Sequence, residues 1–278
     1  MKRILTIQDI SCVGKCSLTV ALPVISAFGV ECCVLPTAVL STHTAFNGFT
    51  FRDLTCDFNA ISKHWQEQNI KFDALYSGYL GSFEQLDLVS DLFNKFKTKD
   101  NFILIDPVMG DHGKLYAGFD QKFAFEMAKL CSHADIIVPN LTEACYMLNC
   151  QYIPNGYNED YIRNILLKLT DLGAKTAVLT GISFNEKDLG IYGYDSIRKE
   201  YFSYYREHLP QSFHGTGDVF ASTLCGALSI GKSVLDSFKI AVDFTVESIT
   251  KTIENKNSNW YGVDFESALP QLIKRINE

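Results

Sequence analysis

The residues most suited to chemistry in this chain of 278 residues are His214-Gly215-Thr216-Gly217-Asp218, followed by the apolar helical run Val219, Phe220, Ala221 and Leu224. Glycines allow a tight turn that leaves the N–H groups of Gly215, Thr216 and Gly217 directed outward at a helix N-terminus. There the helix dipole favours an anion. Asp218 falls in the first turn, beside such an anion, where a carboxylate can accept a proton from an attacking hydroxyl. On these five residues alone, an N-capping Asp after a Gly-rich turn accounts for the pattern equally well.

Two further segments supply what phosphoryl transfer needs. Asp106-Pro-Val-Met-Gly-Asp111 carries two carboxylates on one loop, and Asn140-Leu-Thr-Glu143 places an amide and a carboxylate at a helix start. Hard oxygen ligands suit Mg²⁺, which keeps several waters and takes one or two carboxylates. Each segment alone reads as a turn or cap. Together with an anion hole and a base they form a coherent set. A competing motif, Gly226-Ala-Leu-Ser-Ile-Gly231-Lys232-Ser233, matches GxxxxGK[ST] by letter. A working P-loop follows a strand and opens a helix, whereas Val219 to Ile230 reads as a helix running into the motif, with Gly231 as its stop.

The elements that must position these residues follow an α/β rhythm. Short apolar runs at Ile4–Ile7, Val30–Leu35, Ala74–Ser77, Phe102–Ile105, Ile136–Val138 and Ala177–Leu179 read as strands. Between them, 14–28, 58–68, 84–96, 121–130 and 161–172 carry apolar residues at helical spacing, as crossovers of a parallel sheet require. After Thr180 the pattern changes to an antiparallel hairpin, Leu189–Tyr194 with Glu200–Tyr205, and then to helices from about Thr216, Val234 and Asp264. No linker, low-complexity stretch or repeat interrupts the chain, so a single domain over 1–278 is expected. Ligands of open α/β sheets bind beyond the carboxyl ends of strands, where Asp9, Tyr79, Asp106, Asn140 and Thr180 fall.

Composition limits the function classes. A net charge of −7 and a pI near 5.4 argue against a nucleic-acid or anionic-membrane partner. No apolar run reaches the roughly 18 residues of a transmembrane helix. The chain opens on the strand-like MKRILTI, and its nine cysteines fit a reducing, cytoplasmic setting better than a disulfide framework. Cys12 with Cys16, and Cys32 with Cys33, lack a second Cys/His pair at zinc spacing and read as buried small hydrophobes.

Six short words in order, Thr6-Ile-Gln8, Ser41-Thr-His-Thr44, Ser77-Gly-Tyr79-Leu-Gly81, Asp106-Pro-Val-Met-Gly-Asp111, Ile137-Val-Pro-Asn140 with Glu143, and Gly215-Thr-Gly-Asp218, carry a resemblance along nearly the whole chain. The chain resembles the pyridoxal kinase branch of the ribokinase-like (PfkB-type) kinases. The resemblance implies a three-layer α/β/α fold with a mostly parallel sheet and an antiparallel edge, commonly dimeric. It also implies use of ATP and Mg²⁺ to phosphorylate the 5′-hydroxymethyl group of B6 vitamers, with a monovalent cation such as K⁺ left open. By that resemblance Asp218 is the base and Gly215, Thr216 and Gly217 form the anion hole. Asp106, Asp111 and Glu143 manage Mg²⁺ and its waters, while Thr180, Asp111 and Gly217 meet the nucleotide phosphates. Thr44 bonds the ring hydroxyl and Tyr79 packs on the pyridine face.

The sequence departs from the family at Asp9, where members commonly carry Ser, and at Ser11-Cys-Val-Gly-Lys-Cys16, which replaces a Gly-rich continuation. An ionised Asp9 near the pyridine nitrogen would favour a protonated ring and pyridoxamine. Related hydroxymethylpyrimidine kinases typically have Cys where Asp218 stands. A kinase for a hydroxymethylpyrimidine or another small alcohol is the alternative within the superfamily, and a noncatalytic B6 binder is the alternative outside it.

Overall fold

The structure, a computed structural model, describes residues 1–277. Its contacts divide the chain into two compact units, Met1–Tyr76 with Leu209–Glu278, and Ser77–His208.

The first unit begins β1 (Arg3–Ser11), α1 (Leu18–Ala27), β2 (Glu31–Leu40), β3 (Phe51–Asp53), α2 (Phe58–Glu67) and β4 (Ala74–Ser77). Strand order is β4-β1-β2-β3. β1 pairs with β2 in parallel from Arg3↔Glu31 to Ser11↔Leu40, with a register shift between Gln8 and Ile10. β1 is buried along almost its whole length, as expected of a strand covered on both faces. Antiparallel β3 is fully exposed.

The second unit continues with α3 (Phe83–Phe96), β5 (Phe102–Ile105), β6 (Gly110–Asp111), β7 (Lys114–Leu115), α4 (Gln121–Cys131), β8 (Ile136–Ile137), α5 (Leu141–Met147), α6 (Glu159–Asp171), β9 (Thr176–Ile182), β10 (Asp188–Asp195) and β11 (Glu200–Glu207). Its order is β11-β10-β9-β8-β5. β5, β8 and β9 run parallel, and β10 with β11 makes the antiparallel edge expected from the sequence. β6 and β7 form a separate hairpin, too short for sequence periodicity to reveal.

The chain then returns to the first unit as α7 (Thr216–Ser229), α8 (Val234–Glu254) and α9 (Leu269–Asn277). A 3₁₀ turn, Phe265–Ala268, stands where the last helix was expected to begin. α1 and α7 lie so close that a Cβ on Gly226 would run into the Phe28 ring. Among the described residues no helix is long and apolar enough to cross a membrane. All nine cysteines are free, but the expectation of burial at two pairs needs correction. Cys12 is exposed in the turn leaving β1, and Cys16, Cys32 and Cys33 are half-buried.

Candidate active site

In the first unit the site is built where β1 ends and α7 begins. Asp9, buried near the end of β1, accepts a hydrogen bond from the Ser11 hydroxyl on one carboxylate oxygen (2.9 Å) and from the Ser17 hydroxyl on the other (2.6 Å). Both oxygens are therefore engaged in holding the turn that links β1 to α1. That turn is tightly wound: Gly14, Lys15 and Ser17 all have positive φ, 156°, 53° and 52°. It is braced by Lys15, whose ammonium pairs with Asp264 and lies 3.0 Å from Glu266.

The turn presses on the Gly-rich segment. Gly215, with φ of 84°, is the N-cap of α7, and its α-hydrogens face the Lys15 carbonyl oxygen. An N-cap without a side chain offers nothing to the amides of the first turn, which lack intrahelical acceptors. Amides left open in this way, together with the helix dipole, can receive an anion. Thr216 turns its hydroxyl back to the Phe213 carbonyl (3.1 Å).

Asp218 keeps some solvent contact, yet burial pushes its carboxyl up to about 7. A hydrogen bond from the Ser17 amide opposes the shift and the nearby Asp9 reinforces it. A carboxyl balanced near neutrality has the ideal affinity for a proton in general-base work. Burial also pushes the adjacent Cys16 thiol to about 12, with Asp218 and Asp9 adding to it, so the thiol stays protonated.

The sequence reading missed a histidine pair beside this turn. His43 is buried; its Nδ1 accepts from the Ala45 amide (3.1 Å), which leaves Nε2 to donate to the Tyr261 carbonyl (2.7 Å). Its ring centroid lies 5.0 Å from that of His214, whose basicity burial lowers. A Cβ on Gly14 would come within 2.5 Å of the His43 ring, so that glycine is required for packing. Thr44, the next residue, is exposed on the same loop.

In the second unit the carboxylates gather at the ends of β5 and β8. Asn140 and Glu143 form a capping box on α5: the Asn140 side chain accepts from the Glu143 amide (2.9 Å), and Glu143 accepts from the Asn140 amide (2.8 Å). The other Glu143 oxygen accepts from the Met109 amide (3.1 Å), and the Asn140 side chain donates to the Gly110 carbonyl (2.8 Å). Burial, and then the neighbouring Asp106, hold the Glu143 carboxyl well above its ordinary range. The structure thus brings Asp106 and Glu143 together. Asp111 instead points outward on the β6–β7 hairpin, where it meets His112.

Among the described residues no three His, Cys, Asp or Glu side chains gather as a cage. Two buried carboxylates close enough to repel are nonetheless the donor set that Mg²⁺ accepts, since it needs one or two and fills the rest with water. Thr180 bridges to Asn140 in parallel pairing and is half-buried. Tyr79 packs at 5.6 Å from Phe119, which stacks on Phe123 at 4.1 Å.

The letter-match P-loop is not a phosphate loop. α7 ends at Ser229, Gly231 has φ of 87° and donates to the Leu228 carbonyl (3.0 Å), and Ser233 caps α8 through the Asp236 amide (3.1 Å). Lys232→Ala should therefore change stability by no more than about 0.5 kcal/mol and leave ATP affinity and turnover at wild-type values. Loss of nucleotide binding by folded mutant in a calorimetric titration would refute this.

Strand order, the glycine turn over a helix N-terminus and a poised carboxyl together define a ribokinase-like small-molecule kinase. A pyridoxal kinase from Lactobacillus plantarum superposes with a TM-score of 0.90 at 29% identity, over 99% of this chain and 98% of that one. Residues 21–261 match the model of the phosphomethylpyrimidine kinase family, and the chain belongs to that family. A protein of Bacteroides thetaiotaomicron assigned to the phosphomethylpyrimidine kinases, in a crystal form with pyridoxal, has a TM-score of 0.92 at 37% identity, over 98% and 95% of the two chains. The pyridoxal kinase PdxY of Pasteurella multocida is 26% identical over 279 residues, covering 92% of this chain and 91% of its own.

Proposed function

We propose that this kinase transfers the γ-phosphoryl group of ATP to the 5′-hydroxymethyl group of B6 vitamers. The observation that carries the reading is the Asp218 carboxyl, brought to about 7 in the first turn of α7, beside the amides that follow Gly215. Asp218 takes the proton of the attacking hydroxyl while the amides of Gly215, Thr216 and Gly217 receive the phosphoryl oxygens. Asp9 acts by holding the turn that brings the Ser17 amide to Asp218.

Asp106 and Glu143 would hold Mg²⁺ or its waters, and the ion would offset charge on the phosphates. Asp111 and Thr180 border the nucleotide in this reading, and Thr44 and Tyr79 border the vitamer. The 1–278 chain acts as one kinase domain. Nine free thiols fit the cytoplasm. A homodimer is the expected assembly. Pyridoxal in the crystal form of the 37%-identical relative supports the substrate class.

The description of the matching family favours a second reading, phosphorylation of a hydroxymethylpyrimidine. A coupled assay with ATP against pyridoxal, pyridoxine, pyridoxamine and hydroxymethylpyrimidine separates the two. Highest kcat/KM on a B6 vitamer supports the first reading, and highest on the pyrimidine supports the second. Binding of a vitamer without ATP turnover would identify a noncatalytic binder.

The pH profile follows from the base. Asp218 works ionised, so turnover should fall below about pH 7, roughly tenfold per pH unit, as the carboxyl protonates. A kcat/KM flat from pH 5 to pH 8 would contradict the assignment.

A further inference from the structure

The end of α5 holds two cysteines that the kinase reading does not use. The helix closes in a Schellman turn: the Cys150 amide donates to the Cys145 carbonyl (2.9 Å), the Asn149 amide donates to the Tyr146 carbonyl (3.3 Å), and Asn149 takes φ of 49°. This turn brings together the side chains of the residues at its two ends, normally as an apolar contact. Here those residues are Cys145 and Cys150. Cys145 is buried and also meets the Tyr161 hydroxyl (3.3 Å), while Cys150 is half-buried.

We propose that Cys145 and Cys150 are a redox-active pair that closes to a disulfide by exchange with a low-molecular-weight disulfide such as oxidised glutathione. The Cys150 thiolate attacks one sulfur of the small disulfide, forming a mixed disulfide and releasing one thiol. The Cys145 sulfur then attacks Cys150, passes its proton to the departing thiolate and releases the second thiol. Two protein thiols lose two electrons in total, and the small disulfide gains them.

The order of attack follows from the surroundings. Cys150 is half-buried and Cys145 buried, so a small disulfide reaches Cys150 first. The resolving Cys145 stands at the other end of the same turn, so the second step is made within it.

The test uses the whole protein, reduced, desalted and exposed at pH 7 to oxidised glutathione, with free thiols then alkylated and the chain digested. Trypsin yields the peptide Leu130–Arg163, and further cleavage after Tyr146 separates Cys145 from Cys150. The expected result is two fragments joined by a disulfide, formed at least as fast as glutathione adds to any other cysteine. Cys150→Ser should abolish the link, and Cys145→Ser, if it folds, should stop at a glutathione adduct on Cys150. Full alkylation of both thiols in the wild type, or a wild-type adduct at Cys150 that never resolves, would overturn the proposal.

Discussion

Asp218→Asn should lower turnover by about 10²–10⁴-fold, the range of a general base, with a KM for either substrate close to wild type. The lower end is expected, because phosphoryl transfer has a loose transition state in which the nucleophile loses its proton late. The same mutation should raise the melting temperature. The Asp218 carboxyl titrates near 7 in the folded protein and near 3.9 when unfolded. Between those values the native state binds more protons than the unfolded one, so its stability falls as pH rises from about 4 to about 7. Asparagine carries no charge into that environment or beside Asp9, and it removes this cost at neutral pH. Activity lost and stability gained together is the signature of a residue kept for chemistry. Wild-type turnover in the mutant would refute the base assignment, and a lowered melting temperature would refute the electrostatic account of it.

The crossovers and the parallel strands were legible because they are repetitive. Phe102–Ile105 and Ala74–Ser77 match their observed strands residue for residue, since a short apolar run bounded by turn formers has one reading. β3 and the β6–β7 hairpin have two or three residues per strand and no period to detect. Of the site, the Gly215–Asp218 turn was readable because glycine spacing reports local backbone geometry. What surrounds it was not. The hydrogen bonds from Ser11 and Ser17 to Asp9, the Lys15–Asp264 pair and the His43–Tyr261 bond join residues up to 249 positions apart. Nothing local marks such partners. Asp9 shows the consequence: its position at the end of the first strand was legible, but its engagement by two hydroxyls became visible only with the turn folded.

The same turn supplies the second large effect, Gly215→Ala. Two costs coincide at this glycine. Its φ of 84° is unfavourable for any residue with a Cβ, by about 1–2 kcal/mol, and the added methyl would run into the Lys15 carbonyl oxygen. That carbonyl cannot retreat freely, because Lys15 is tied to Asp264 and Glu266, and Gly262 crowds its side chain: a Cβ there would lie 2.6 Å from the Lys15 Cβ. Overpacking of this kind adds roughly 1–3 kcal/mol. Relief must therefore come from the start of α7 itself, displacing the amides that receive the phosphoryl group. Loss of one such donor typically lowers turnover by about 10²–10³-fold. Gly231→Ala is the matched control, with φ of 87° and nothing within 4 Å of the added Cβ. It carries the backbone cost alone, about 1–2 kcal/mol, and should leave kcat unchanged. Chemical denaturation and steady-state kinetics on the two mutants give the comparison. Equal losses of stability and equal activities would mean that the turn at Lys15 yields, and that Gly215 serves only the backbone of the helix cap.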